Sequence, residues 1–273
     1  MGVARANARI ALLAGTGGGF LSGMVGGGGG AVMIPLMTGA MNMRQHTAHG
    51  TSLLIIFTSA LAAAITYSLS ESIDASLLAV LIATSVTGAY AGARGARRIP
   101  ALRLRQLLGV FLILVAARLL LFREVDPVFS AGGLSEMAIG AAIGLTGGIA
   151  SGALGVGGGS IFVPALVLLL GIEQHQAQGL SLWVIVCSSA AGSATHYRQG
   201  TVDTRAARWI IPAAIPAAVL GALAAHQLGA SQLQTIFSIV LVGLGTQMVV
   251  TAMRRMRAAE DAPLLLHPEV DAV

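Results

Sequence analysis

The sequence predicts an all-α polytopic membrane protein of two inverted repeats, each a Gly-rich broken-helix hairpin followed by three transmembrane helices. Three observations carry that prediction. The first is composition: 55% of the 273 residues are hydrophobic, 10% are charged, and mean hydropathy is +0.82. A soluble domain carries about 25% charged residues. Apolar stretches recur at 51–69, 75–93, 106–122, 137–171, 180–195, 209–225 and 236–253, several near the ~20 residues that cross a bilayer core as a helix. One such stretch fits inside a soluble core, but the whole series does not.

The second observation is a repeat. "SGMVGGGGGAVMIP" (22–35) returns as "SGALGVGGGSIFVP" (151–164), 129 residues later. The same offset, with no gap, aligns "RQHTAHGTSL" (44–53) with "EQHQAQGLSL" (173–182), Thr66 with Thr195, Asp74 with Asp203 and Gly92 with Gly221. Chance similarity between oily segments does not keep Gln45/Gln174, His46/His175 and Pro35/Pro164 in register. The chain divides into a first transmembrane repeat (1–123), a linker (124–133), a second repeat (134–257) and a cytoplasmic tail (258–273).

The third observation is charge. The loop "RGARRIPALRLR" (94–105) carries five arginines and its counterpart at 223–234 none, whereas "SESID" (70–74) is acidic and its partner region holds Arg198, Arg205 and Arg208. Arginine-rich short loops stay cytoplasmic, so the halves lie opposite ways up, and each has an odd number of crossings.

The elements follow in order. Arg5 and Arg9 precede an apolar run that resembles a cleaved leader, but the same pattern recurs mid-chain, so 9–25 is read as mature structure. With 94–105 and Arg44 inside, 9–43 enters the membrane and returns to the same face. Its second limb, 31–42, reaches only about 18 Å at 1.5 Å per residue, short of the roughly 30 Å core, so it is a half-helix or a span extended by its flanks. Three spans follow in each repeat, giving eight helices by the conventional count and up to ten segments. Both termini are expected in the cytoplasm.

The glycine turns are the candidate site. Irregular backbone at membrane depth is tolerated where protein covers it or where it lines a wet cavity, and broken helices at matching positions of inverted halves point to a transporter substrate site. Gly26, Gly28, Gly29 and Gly30, with Gly155, Gly157, Gly158 and Gly159, allow backbone N–H groups close to a ligand. The helices starting near Ala31 and Ser160 aim their positive dipole ends there, which favours an anion. Pro35 and Pro164 are assigned as structural hinges. The opposing reading is that these glycines only pack, as Gly19/Gly23 and Gly148/Gly152 do in a small-residue helix contact.

After each hairpin, Gln45, His46, His49 and Ser52 and their counterparts Gln174, His175, Gln178 and Ser181 open a helix. His46, Ser52, His175 and Ser181 are the side chains added to the candidate site, with capping at the membrane face as the alternative. Arg118 sits near a segment end, where snorkelling outward accounts for it; Gln247 matches it. Asp74 and Asp203 read as N-caps. All sixteen basic residues are arginine, and the net charge of +5 belongs to cytoplasmic loops rather than to nucleic-acid binding. Cys187 is the only cysteine, so no internal disulfide forms. No nucleophile–base pair or metal-ligand motif stands out, so no enzyme activity, cofactor or metal is expected. The expected partners are a small anion and the lipid bilayer, with a homo-oligomer left open.

The duplicated SGxxGxGGGxxxxP motif, the "AHGTSL" segment and the hydropathy pattern resemble the sulfite exporter TauE/SafE family of bacterial membrane permeases, over nearly the whole chain. The resemblance implies a multi-pass inner-membrane transporter of small anions, chiefly sulfite and sulfonated acids such as sulfoacetate. The motif carries over Gly26, Gly28, Gly29, Gly30 and Pro35, and Gly155, Gly157, Gly158, Gly159 and Pro164; Gly27 departs from the bulkier residue seen as Val156. Alternatives are an anion channel and a divalent metal-ion permease using His46, His49 and His175.

Overall fold

The computed structural model describes residues 2–95, 101–121, 133–155 and 157–261, with the side chains of 9–95, 105–121, 133–155, 157–254 and 256. Parts of the linker, of the arginine-rich loop and of the tail, together with Val156, lie outside the described residues. Ten helices are described: α1 (Gly2–Val25), α2 (Gly30–Gly39), α3 (Gln45–Ser68), α4 (Ala75–Gly95), α5 (Ala101–Leu121), α6 (Leu134–Leu154), α7 (Gly159–Leu170), α8 (Gln174–Arg198), α9 (Thr204–His226) and α10 (Ala230–Asp261). The starts of α2, α3, α4 and α5 each precede those of α7, α8, α9 and α10 by 129 residues (159 − 30, 174 − 45, 204 − 75, 230 − 101), so the sequence repeat is a repeat of structure. α10 runs on to Asp261, into the segment read from sequence as tail. Six of the described helices, α3, α4, α6, α8, α9 and α10, are long and apolar enough to cross a membrane.

The helix boundaries have local causes. Asp203 N-caps α9 by accepting from the Ala206 amide at 3.0 Å. Asp74 does the same before α4, accepting from the Leu77 amide at 3.2 Å and the Ser76 amide at 2.8 Å. The Ser76 hydroxyl and these two amides hold the Asp74 carboxyl below its usual range. Each satisfies amides that a helix start leaves without partners.

The packing is reciprocal between the halves. α1 lies on α9 as α6 lies on α4, while α3 pairs with α8 and α5 with α10. Small residues allow the first two contacts. A methyl on Gly19 would stand 2.3 Å from the Ala214 carbonyl oxygen, and one on Gly148 2.3 Å from that of Ser85, so these glycines let backbones meet.

The directions of the pairs follow from these contacts. Gly15, Gly19 and Gly23 of α1 meet Ile210, Ala214 and Ala218 of α9 in ascending order, so α1 and α9 run parallel. In contrast, Gly50 near the start of α3 meets His196 near the end of α8, while Gly179 near the start of α8 meets Tyr67 near the end of α3. α3 and α8 therefore run antiparallel. So do α5 and α10: Gly109 packs against Gly245, and the Gln234 amide donates to the Leu119 carbonyl at 3.3 Å.

α2 and α7 are the half-length limbs. Ten and twelve residues reach about 15 and 18 Å. Each folds back along the helix before it: a methyl on Gly18 would strike the Met33 side chain at 2.5 Å, and one on Gly147 the Phe162 ring at 2.1 Å. Pro35 and Pro164 lie inside these short helices, where each removes one backbone hydrogen bond.

Candidate functional site

The two glycine turns meet. Gly26, Gly28 and Gly29, and Gly155, Gly157 and Gly158, all have positive φ (66° to 97°), a region closed to most side-chain-bearing residues. A Cβ on Gly157 would lie 3.1 Å from the Gly28 Cα, and one on Gly159 would lie 2.2 Å from the Gly26 carbonyl oxygen. The crossing is a contact of backbone on backbone, with α2 and α7 both starting from it. Their first N–H groups have no intrahelical acceptor, so two positive helix ends face this region.

Each turn is held by the other repeat. The Ser52 hydroxyl bridges the carbonyls of His49 (2.8 Å) and Gly155 (2.9 Å). Ser181, its repeat equivalent, donates to the Gly26 carbonyl at 2.9 Å. A Cβ on Gly155 would meet His49 and one on Gly26 would meet Gln178, at 2.9–3.1 Å. The geometry thus ties Ser52 and Ser181 to the turns as clasps. Ser52→Ala and Ser181→Ala should each lower stability by about 0.5–1.5 kcal/mol, the net value of one buried hydrogen bond, and by similar amounts. Chemical denaturation in detergent, followed by tryptophan fluorescence, measures both.

The two sequence-assigned histidines lie apart. His46 is exposed, with its ring 6.5 Å from that of His49. His175 is buried at the start of α8, its ring 6.0 Å from that of His226 and its Nε2 3.3 Å from the Ala225 carbonyl. The His226 ring in turn packs at a tilt against that of Tyr67, centroids 4.6 Å apart, and stands 4.0 Å from Glu71. His196 spans Gly152 and Thr201, which ties the end of α8 to α6.

Beside the crossing opens a vestibule. Its inner part is lined by Ala31 in the first turn of α2, Gln45 and His49 of α3, Arg105 of α5, and Leu154 and Gln247. Its outer part shares Gln45 and Arg105 and adds Pro35, Thr38 and Thr251. No carboxylate is among these lining residues. A guanidinium and the positive end of α2 therefore face one cavity, an arrangement that attracts an anion.

Sequence reading missed Arg105, which it counted as one charge of a loop, and Gln247, noted only as the match of Arg118. It also passed over Ser22 and Ser151. These occupy the same repeat position, and their buried hydroxyls have no hydrogen-bond partner among the described residues. Arg118 was read as snorkelling outward, but its Nη1 is enclosed by protein, because α5 packs against both α10 and α7.

A bundle of apolar helices around a polar, cation-bearing cavity and a crossing of broken helices has the make-up of a membrane transporter. The chain belongs to the Sulfite exporter TauE/SafE family, whose model matches residues 2–119 and 140–268. It is 27% identical over 263 residues to the "Probable membrane transporter protein YunE" of Bacillus subtilis (strain 168), covering 88% of this chain and 95% of that one. It is 26% identical over 236 residues to a "Probable membrane transporter protein" of Xylella fastidiosa (strain 9a5c), covering 85% and 90%. A second Bacillus subtilis relative, "Probable membrane transporter protein YdhB", is 26% identical over 189 residues, covering 68% and 77%.

Proposed function

We propose that this transporter moves small oxyanions, sulfite or organosulfonates, across the bacterial inner membrane by alternating access around the glycine crossing. The observation that carries this reading is the vestibule: Arg105 and the start of α2 share a cavity that Gln45, Gln247 and the imidazole of His49 also line, with Thr38 and Thr251 further along it. Planar guanidinium and amide groups suit an oxyanion.

The helix directions support inverted repeats. With 94–105 cytoplasmic, α1, α5 and α9 run outward and α4, α6 and α10 inward, while α3 and α8 oppose one another, as their pairings require. The vestibule then opens to the cytoplasm, with both termini on that side. The close backbone contact of Gly28 and Gly157 at the crossing supports alternating access over an open channel. The metal-permease reading has less support: His46 and His49 stand at the start of α3 and His175 at the start of the antiparallel α8, and no group of three metal-ligating side chains occurs among the described residues.

Purified protein in proteoliposomes should show saturable sulfite or sulfoacetate flux, and these anions should raise its melting temperature where divalent cations do not. Stabilisation by divalent cations alone, with no anion flux, would sink the reading.

A further inference from the structure

The reciprocal packing carries the vestibule's residues onto a second set. Adding or subtracting 129 takes Ala31 to Ser160, Gln45 to Gln174, His49 to Gln178, Arg105 to Gln234 and Gln247 to Arg118. Each set holds one arginine and one glutamine from the α5–α10 pair, with the roles of the two helices exchanged. Both arginines are therefore on α5. They are 13 residues apart (118 − 105), about 20 Å along the axis and on different faces of the helix.

The second set has the features of an anion site that is now closed. α5 packs against α7, the counterpart of α2, and the Gln234 amide donates to the carbonyl of Leu119, the neighbour of Arg118. Gln174 is 3% exposed, and neither its amide nitrogen nor its amide oxygen has a hydrogen-bond partner among the described residues. Gln178 is fully buried; the Tyr67 hydroxyl donates to its Oε1, and its Nε2 is a buried donor without an acceptor among the described residues. Most buried side-chain polar groups in folded proteins have a hydrogen-bond partner. At two positions equivalent to vestibule residues an amide nitrogen thus lacks an acceptor among the described residues, which an oxyanion would supply; the Gln174 oxygen lacks a donor.

We infer that Arg118, Gln174, Gln178 and Gln234 form a second oxyanion site on the far side of the glycine crossing, which receives the anion as the Arg105 vestibule releases it. This inference rests on the anion-transport reading. The closed amides belong to the state seen here, with the Arg105 side open, and the pseudo-symmetric state would open the other side.

The test is sulfite transport in membrane vesicles of both orientations, with KM read separately at each face. Arg118→Gln should raise KM at the extracytoplasmic face about ten-fold or more, the cost of losing a charged hydrogen-bond partner, and leave the cytoplasmic KM within about two-fold. Arg105→Gln should do the reverse. Equal KM shifts at both faces, or none, in Arg118→Gln would overturn the second site while leaving transport intact. Absence of sulfite and sulfoacetate flux in the unmodified protein would instead overturn the transport reading on which the site rests. Gln174→Leu guards against a folding defect in the arginine variant. It removes the unpartnered amide, so it should raise the melting temperature without anion and still weaken extracytoplasmic sulfite. A fall in melting temperature, which would show that the amide is bonded for structure, overturns the site.

Discussion

Gly159→Ala is expected to abolish anion flux while leaving anion binding in the vestibule. The added methyl would sit 2.2 Å from the Gly26 carbonyl oxygen, 2.7 Å from the Gly27 Cα and 2.8 Å from the Ile185 Cδ1. Two of those neighbours are backbone held by the Ser181 clasp, so no side-chain rotation relieves the contact and the turns must separate. Overpacking of this kind costs about 1–3 kcal/mol, and the crossing through which both halves move is displaced. Gly39→Ala is the matched control, since a methyl there meets nothing within 4 Å. Sulfite flux in proteoliposomes and the sulfite-induced rise in melting temperature are read together. Expected is flux lost and the rise retained for Gly159→Ala, with both retained for Gly39→Ala. Wild-type flux in Gly159→Ala would move the translocation path away from the crossing.

Arg105→Gln should give the opposite pattern, losing the anion-induced rise in melting temperature and raising the cytoplasmic KM about 10- to 100-fold. That range is the kinetic equivalent of about 1.5–3 kcal/mol for a hydrogen bond to a charged group. Arg105→Lys restores the charge but not the planar fork, so it should recover part of the affinity. Both parts of the vestibule include Arg105 and Gln45, so Gln45→Glu, which places a carboxylate opposite the guanidinium, should weaken the anion too. Isothermal titration with sulfite reads all three. Unchanged affinity in Arg105→Gln would remove the vestibule from the transport path.

The serine clasps show where sequence reasoning stops. Ser52 and Ser181 were visible as repeat equivalents near a helix start, and capping at a membrane face or contact with the anion were both open to them. The structure gives each a partner in the opposite turn, 103 and 155 residues away in the chain. Such pairs have no local signature, because a hydroxyl at a given helical position donates to whatever carbonyl the tertiary fold brings near. The histidines make the same point: His46 and His49 lie three residues apart on α3, yet one is exposed and the other buried. α3 is apolar on most sides, so periodicity alone did not say which face turns inward.

In the sequence Arg105 counts only as a loop charge, and Arg118 reads as snorkelling outward from near a segment end. Charge in a loop sets which side of the membrane that loop occupies, and that use of Arg105 was legible in sequence. That its guanidinium lines a cavity with Gln247 depends on α5 packing against α10, two helices from different repeats.

The chain's own residues determined the repeat, its offset, the positions of the broken helices and the caps at Asp74 and Asp203. Each of these is set by local forces: hydrophobic length, backbone freedom at glycine, and hydrogen bonds within a few residues. The tertiary structure alone decided that the two glycine turns touch, that each serine clasps the other half, and that arginine and glutamine from facing helices share one cavity. Those contacts join residues about a hundred or more positions apart, and only the packing of whole helices brings them within reach of a hydrogen bond.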